Sequence, residues 1–258
     1  MKLEKAYKVI RKELLMKDEP IKAVALAKAL GKKDEIAESM IDHLYNPEKY
    51  ETLYKDDNCL DYEKIEPESF ALDADKIYHR YAWVMEELRR QKPKTMVDLA
   101  CYVGSLVLTL SNKGIEATGV DMTTIAIEAA KKRAKKLKLG AKFFNQNLFD
   151  HKGKYDAVIS FEVIEHIADP KAFIDHLLSL TNPGGWCYIT TPNGPYDDGR
   201  GNASNWNGKG LRGHVRAFTK ASIAGLLEGK EFYINEMADK LLWIKFRNKE
   251  AKNVKTKN

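Results

Sequence analysis

From Thr95 onward, short apolar runs alternate with amphipathic stretches. The runs are TMVDLA, IEATGVD, AKFFNQ, YDAVISF and WCYITTP, at 95–100, 115–121, 141–146, 155–161 and 186–192. Each is the length of a strand, and between them apolar residues recur at three- and four-residue spacings near 104–113, 123–138 and 169–180, as helices require. Strands alternating with helices in this way read as a parallel sheet with crossover connections. Further on, FTKASIAGLLE predicts one more helix, and EFYINEM and KLLWIKF predict two final strands joined as an antiparallel hairpin across Ala238-Asp239. The expected fold is therefore α/β, a doubly wound, mostly parallel sheet of seven strands. Pro183-Gly184-Gly185 predicts a turn ahead of the fifth run.

The pattern before Thr95 is different, with helical spacing and no strand-like alternation from Met1 to about Gln91. Pro20 suits a first helical turn and Gly31 a helix end, so IKAVALAKAL reads as a short helix, followed by DEIAESMIDHLY, which stops before Pro47. The segment ALDADKIYHRYAWVMEELRRQ then places Ile77, Tyr81, Val84, Met85 and Leu88 on one face, and Lys92-Pro93 ends it. Three regions follow: a helical extension over 1–92 that serves as a cover for the rest of the chain or forms a homodimer, an α/β domain over 93–247, and a basic, disordered tail over 248–258.

Composition narrows this picture. With 44% hydrophobic and 31% charged residues, the chain has material for one sizeable core and an appendage. No stretch approaches the roughly 18 apolar residues that span a bilayer. The start, MKLEKAYKVIRKELL, carries charge through what would have to be a signal core. A cytoplasmic protein with no membrane partner is the expectation. Cys59, Cys101 and Cys187 are far apart and lack CxxC spacing, which argues against a disulfide framework or a thiolate zinc site. Residues 1–95 hold 19 Lys+Arg against 20 Asp+Glu, leaving 24 against 17 for the rest. The excess lies in KKRAKKLK at 131–138 and in the tail from Lys245, so phosphate binding and a solvated helix face are both open readings.

The chemistry concentrates at strand ends. In MVDLACYVGSLVLTL, Gly104 permits close backbone approach in the loop after the first strand, where doubly wound folds bind ligands. Asp121 ends the second strand, placed to accept hydrogen bonds from both hydroxyls of a ribose, or to cap the helix that follows. Asn147 and Leu148 follow the third strand. Phe161 and Glu162 end the fourth.

In this order the segments resemble the seven-stranded, Rossmann-like S-adenosylmethionine-dependent methyltransferases (class I), over about residues 95–193. The resemblance implies that Asp98, Ala100, Tyr102 and Gly104 form the cofactor turn, that Asp121 holds the ribose, that Met122 and Leu148 pack on adenine, that Asn147 reads its amino group, and that Phe161 lies on the same rim. Ala100 and Tyr102 depart from the glycines usual there. In EVIEHIADP, Glu162, Glu165 and His166 share one face if the chain turns helical. Similar ExxEH segments occur in small-RNA 2′-O-methyltransferases, where a further histidine completes a magnesium or manganese site, and in ubiquinone-pathway O-methyltransferases. The matching histidine here is His214. Without a metal, His166 or His214 is the candidate general base. The segment 194–213, with Tyr196, Asp197, Arg200 and Trp206, reads as a lid over the acceptor, with Arg212 beside it. The leading expectation is O-methylation of a small-molecule or glycan-like hydroxyl. The alternatives are a metal-dependent RNA 2′-O-methyltransferase and a non-catalytic adenosine-binding or scaffold protein.

Overall fold

In the computed structural model, residues 79–167, 169–193, 218–236 and 241–249 are described. Seven strands form one sheet: β1 (Thr95–Leu99), β2 (Glu116–Asp121), β3 (Lys142–Asn145), β4 (Tyr155–Phe161), β5 (Thr181–Pro192), β6 (Glu231–Glu236) and β7 (Leu241–Arg247). Their spatial order is β3-β2-β1-β4-β5-β7-β6. The first five pair in parallel, and β7 enters antiparallel between β5 and β6. The β6–β7 hairpin is thus formed as expected, although its connection at 237–240 lies outside the described residues. Helices α1 (His79–Gln91), α2 (Ser105–Asn112), α3 (Thr124–Lys136), α4 (Pro170–Leu180) and α5 (Lys220–Leu226) complete the described elements.

Side chains alternate across the sheet and so build two cores. Val97, Leu99, Val158, Ile189 and Ile244 face α4 and α5, where Phe173, Ile174, Leu177 and Ile223 cover them. Met96, Ala117, Ala157, Ile159 and Tyr188 face the other way, against Val84 and Leu88 of α1, Leu106 and Leu110 of α2, and Ile127 and Ala130 of α3. Burial on both faces is why these strands read as nearly continuous apolar runs. Helix starts follow local chemistry: Asp169 accepts from the Ala172 N–H at 2.9 Å ahead of Pro170, and Thr219 with Ser222 forms a capping box at α5.

Two features refine the expectations. The Pro183-Gly184-Gly185 turn is absorbed into β5 as an irregularity: the β4–β5 register jumps from Tyr155↔Thr181 to Ala157↔Trp186, and Gly184 takes φ 78°. Helix α1, assigned by the sequence to the extension, packs against the sheet with Val84 wholly buried. Its Glu87 meets Lys245 of β7 at 2.7 Å, with both side chains largely covered, so the helix is tied to the last strand as well as to the core. The cysteines Cys101 and Cys187 are free and buried, and burial pushes the Cys187 thiol up to about 12. Among the described residues no helix is long and apolar enough to cross a membrane.

The link from β3 to β4 is a single 3-10 turn, Leu148–Asp150, packed on two histidines. His151 is buried, with its Nδ1 2.9 Å from Gln146 Nε2 and its Nε2 2.9 Å from the Tyr155 hydroxyl. His176 Nε2 lies 2.7 Å from the Leu148 carbonyl. An amide nitrogen only donates, so Nδ1 of His151 accepts and the ring is neutral. Burial is the first cause lowering the pKa of both rings. A lowered histidine pKa means that the unfolded chain binds the proton more readily. The stability these rings contribute is therefore full above the ordinary histidine pKa and is lost as pH falls below it. We expect the thermal midpoint to fall between pH 7 and pH 5, and His151→Gln to reduce that fall, as read by calorimetry at both pH values.

Candidate functional site

Backbone strain is concentrated at two neighbouring strand tips. Past β1, the loop alternates into the left-handed region at Ala100 (φ 61°), Tyr102 (φ 54°) and Gly104 (φ 71°). Past β4, Glu162 does the same at φ 57°. Left-handed backbone is uncommon for Ala, Tyr and Glu, and such residues gather where a site holds them in place. β1 and β4 are adjacent, and between them the strand order reverses, since β2 and β3 lie to one side and β5 to the other. That is the switch point at which doubly wound sheets bind ligands.

Close packing fixes the loop. A Cβ on Gly104 would stand 2.4 Å from Phe143 Cε1, and one on Gly119 would stand 2.8 Å from both Cys101 Sγ and Phe143. The Cys101 N–H donates to the Val120 carbonyl at 3.0 Å. The Ser160 hydroxyl donates to the Leu99 carbonyl at 2.9 Å. Asp98 is buried at the end of β1, and Ala100 packs against the core on the α4 side.

Asp121 is the centre of the arrangement. Its Oδ2 accepts from the Tyr102 N–H and its Oδ1 from the Thr123 N–H, both at 2.8 Å. Burial raises its pKa, and these backbone donors oppose the rise. Thr123, rather than Asp121, occupies the cap position of α3. The Thr123 hydroxyl and the Met122 N–H also act on this carboxylate, so donors from both neighbouring loops converge on it. Met122 beside it is partly exposed.

Asn145 is a contributor that the sequence did not single out. It lies in register with Asp121; its Nδ2 donates to the Asp121 and Met122 carbonyls at 3.1 and 2.8 Å, and its Oδ1 accepts from the Thr124 hydroxyl at 2.9 Å. It therefore locks the loop that carries Asp121. An amide at a strand end was the available signal. Asn147 instead accepts from the Phe149 N–H at 2.9 Å as the cap of the 3-10 turn, the turn role that its position also allowed. Leu148 is half-buried against the α4-side core. Phe161, half-buried, stacks with Tyr81 of α1 at 6.0 Å between ring centres.

The helical face expected of Glu162, Glu165 and His166 does not form. Glu162 is left-handed, Val163 is not helical, and only a 3-10 turn follows over Ile164–His166. Glu162 Oε1 accepts from the Thr190 hydroxyl at 2.7 Å, and Glu165 Oε2 from the Thr191 hydroxyl at 3.0 Å. Both carboxylates thus brace the tip of β5. Among the described residues no three His, Cys, Asp or Glu groups gather as a metal site. His214, the remaining member of the expected set, lies outside the described residues, as do Tyr196, Asp197, Arg200, Trp206 and Arg212 of the expected lid.

A doubly wound sheet with strained loops at its switch point and an acid at the tip of β2 defines a protein that binds an adenosine cofactor across the strand ends. The family model of the methyltransferase domain matches residues 73–236, more than half of the chain. The chain belongs to that methyltransferase-domain family.

Among curated proteins, it is 31% identical over 106 residues to a ubiquinone biosynthesis O-methyltransferase of Psychrobacter cryohalolentis, covering 39% of this chain and 41% of that protein. A protein of the same description from Rhodopseudomonas palustris is 29% identical over 132 residues, covering 50% and 52%. The chain spans about half the length of the curated relatives it matches. Among solved structures, the plantazolicin methyltransferase BpumL in complex with SAH superposes with TM-score 0.52 at 16% identity, covering 83% of this chain and 97% of that one. The PH0226 protein of Pyrococcus horikoshii OT3 gives TM-score 0.56 at 16% identity, covering 74% and 99%. At such identities these two establish the fold.

The residues present fit the cofactor. The left-handed loop 100–104 brings backbone to the strand tips, and Asp121 sets an acidic acceptor at the tip of β2, where a ribose is held in such folds. Tyr102 is the one bulky side chain in that loop.

Proposed function

We propose that the chain methylates a hydroxyl group of a small molecule. The observation that carries this reading is the pairing of strained loops at the β1 and β4 tips with the Asp121 carboxylate between two backbone donors. The curated relatives bearing the O-methyltransferase description favour oxygen as the methylated atom. When bound, S-adenosylmethionine supplies an electrophilic methyl group on a sulfonium. Asp121 would hold the ribose hydroxyls, the 100–104 loop the methionine end, and Met122 the adenine. Phe161 and Tyr81 wall the acceptor side. His166 or His214 would take the acceptor proton as the O–C bond forms and the methyl–sulfur bond breaks, its electron pair remaining on sulfur. The main contribution of the protein is alignment of oxygen, carbon and sulfur.

Calorimetric titration of the full chain with S-adenosylmethionine and with S-adenosylhomocysteine is the first test. Binding of both is expected, and a folded sample that binds neither sinks the reading. Addition of a chelator is expected to leave methyl transfer unchanged, because the described carboxylates are engaged with threonine hydroxyls.

A second reading is favoured by one observation. Lys131, Lys132, Lys135, Lys136 and Lys138 on and beyond α3 are all exposed, and the ion pair there is Lys131 with Glu128 at 3.0 Å. Such a face suits RNA as acceptor. It requires RNA binding that weakens steeply with salt, measured by fluorescence anisotropy between 50 and 200 mM salt.

A further inference from the structure

Successive carbonyls along a strand point to opposite neighbours. At the end of β2 the Val120 carbonyl accepts from the Cys101 N–H on the β1 side at 3.0 Å, and the Asp121 carbonyl from the Gln146 N–H on the β3 side at 3.1 Å. Continued alternation would send the Met122 carbonyl back toward β1. It goes to β3 instead, because Asn145 Nδ2 donates to the Asp121 carbonyl at 3.1 Å and to the Met122 carbonyl at 2.8 Å. An amide NH2 carries two hydrogens, so one side chain serves both carbonyls. The chain bends at Met122. Those carbonyls belong to the two peptide planes that flank Met122, and with both planes held the two soft dihedrals of that residue are fixed.

The orientation of the amide is set from its other end. Asn145 Oδ1 accepts from the Thr124 hydroxyl at 2.9 Å, and a flipped amide would turn that oxygen against two carbonyl oxygens. Thr124 opens α3, whose cap residue Thr123 supplies no side-chain cap. Asn145 thus joins β3, the bend and the first residue of the helix. Without this amide, Asp121 stays tied through its carboxylate to Tyr102 and Thr123 and through its carbonyl to Gln146. The residue released is Met122. Asn145 itself is exposed on the edge strand and lies outside both cores, so replacing it leaves the packing of the sheet intact.

We propose that Asn145 is a positioning residue for the methyl donor. By fixing the backbone of Met122 it holds that side chain, partly exposed at the strand tip, ready to pack on the adenine, and so sets donor affinity without touching the donor. The proposal rests on the cofactor reading above.

Calorimetric titration of S-adenosylhomocysteine into the full chain tests it through a double-mutant cycle. Asn145→Ala is expected to weaken binding about tenfold, the scale of one or two lost hydrogen bonds. In a Met122→Ala background the same change is expected to weaken binding by less than about twofold, because the side chain it positions is gone. Asn145→Asp keeps the size and the acceptor for Thr124, loses both donors, and is expected to match Asn145→Ala. The Met122 methyl signal, one of seven from methionine in carbon-13 spectra, is assigned by its loss in Met122→Ala. It is expected to move when S-adenosylhomocysteine binds the wild-type chain. Should Asn145→Ala and Asn145→Asp not fold, Thr124→Val removes only the bond that orients the amide. It carries the same cycle, with a loss of about threefold that again vanishes in Met122→Ala.

A lowered thermal midpoint with affinity kept within about twofold of wild type is a structural role alone and overturns the proposal. An equal loss of affinity in both backgrounds, or a Met122 signal that stays in place on binding, overturns it as well. Failure of S-adenosylhomocysteine to bind the wild-type chain is a different result, and overturns the cofactor reading beneath it.

Discussion

Asp121→Ala is expected to weaken S-adenosylhomocysteine binding by about 100-fold or more and to destabilise the apoprotein as well. Hydrogen bonds to a charged group are each worth roughly 1.5–3 kcal/mol, so losing the acceptor for two ribose hydroxyls exceeds about 3 kcal/mol, and each 1.4 kcal/mol is tenfold. The second effect has a separate origin. The Tyr102 and Thr123 N–H groups both donate to this carboxylate, and the variant leaves both unmade in a covered site, at about 1–3 kcal/mol each. Calorimetric titration reads the first and thermal unfolding of the unliganded chain reads the second. A variant that keeps its affinity within threefold would place the ribose elsewhere. The carboxyl pKa is raised by burial, so the folded state binds this proton more tightly than the unfolded one. Cofactor affinity, which needs the ionised form, should therefore fall as pH drops through that raised value, while this group's own contribution to stability rises.

Gly104→Ala is expected to be the most destabilising single-methyl change in the site. The residue has φ 71°, and left-handed backbone costs an L-residue about 1–2 kcal/mol. The added Cβ would also meet Phe143 Cε1 at 2.4 Å, and overpacking costs typically about 1–3 kcal/mol. Phe143 is itself wedged against Gly119 and is 8% exposed, so it has little room to yield. The total of about 2–5 kcal/mol should lower the thermal midpoint by roughly 4–20 °C. Ala100→Gly tests the same physics with the opposite sign. It relieves a left-handed alanine, at φ 61°, and should be neutral or stabilising by up to about 1 kcal/mol. A Gly104→Ala midpoint within 2 °C of wild type would mean that the loop relaxes freely.

The strands and helices of the cofactor half were legible in the sequence because both faces of β1, β2 and β4 are buried, and continuous apolar runs record that directly. Gly104 and Asp121 were legible because a backbone need and a strand-end carboxylate each select a narrow set of residue types. Asn145 was missed because a strand-end amide that braces the backbone looks, in one dimension, like a turn residue next to a turn. The ExxEH segment misled for the opposite reason: its i, i+3, i+4 spacing is helical, but the left-handed Glu162 turns the chain first, and the carboxylates go to Thr190 and Thr191. The contact of Trp83 with Trp243 depends on β7 entering between β5 and β6. No local pattern reports a strand order.

The clamp between Glu87 and Lys245 joins residues 158 positions apart, whereas the β1–β3 portion closes over neighbouring segments. Contacts between distant residues form late, after local ones have reduced the loops to be closed. During synthesis, then, the half that holds the cofactor can assemble while β7 is still unmade. The contact between Trp83 and Trp243, which needs α1 and β7 together, is completed last. A chain opened between α1 and β7 would lose the packing of Trp83 on Trp243 while β1, β2 and β3 stay paired.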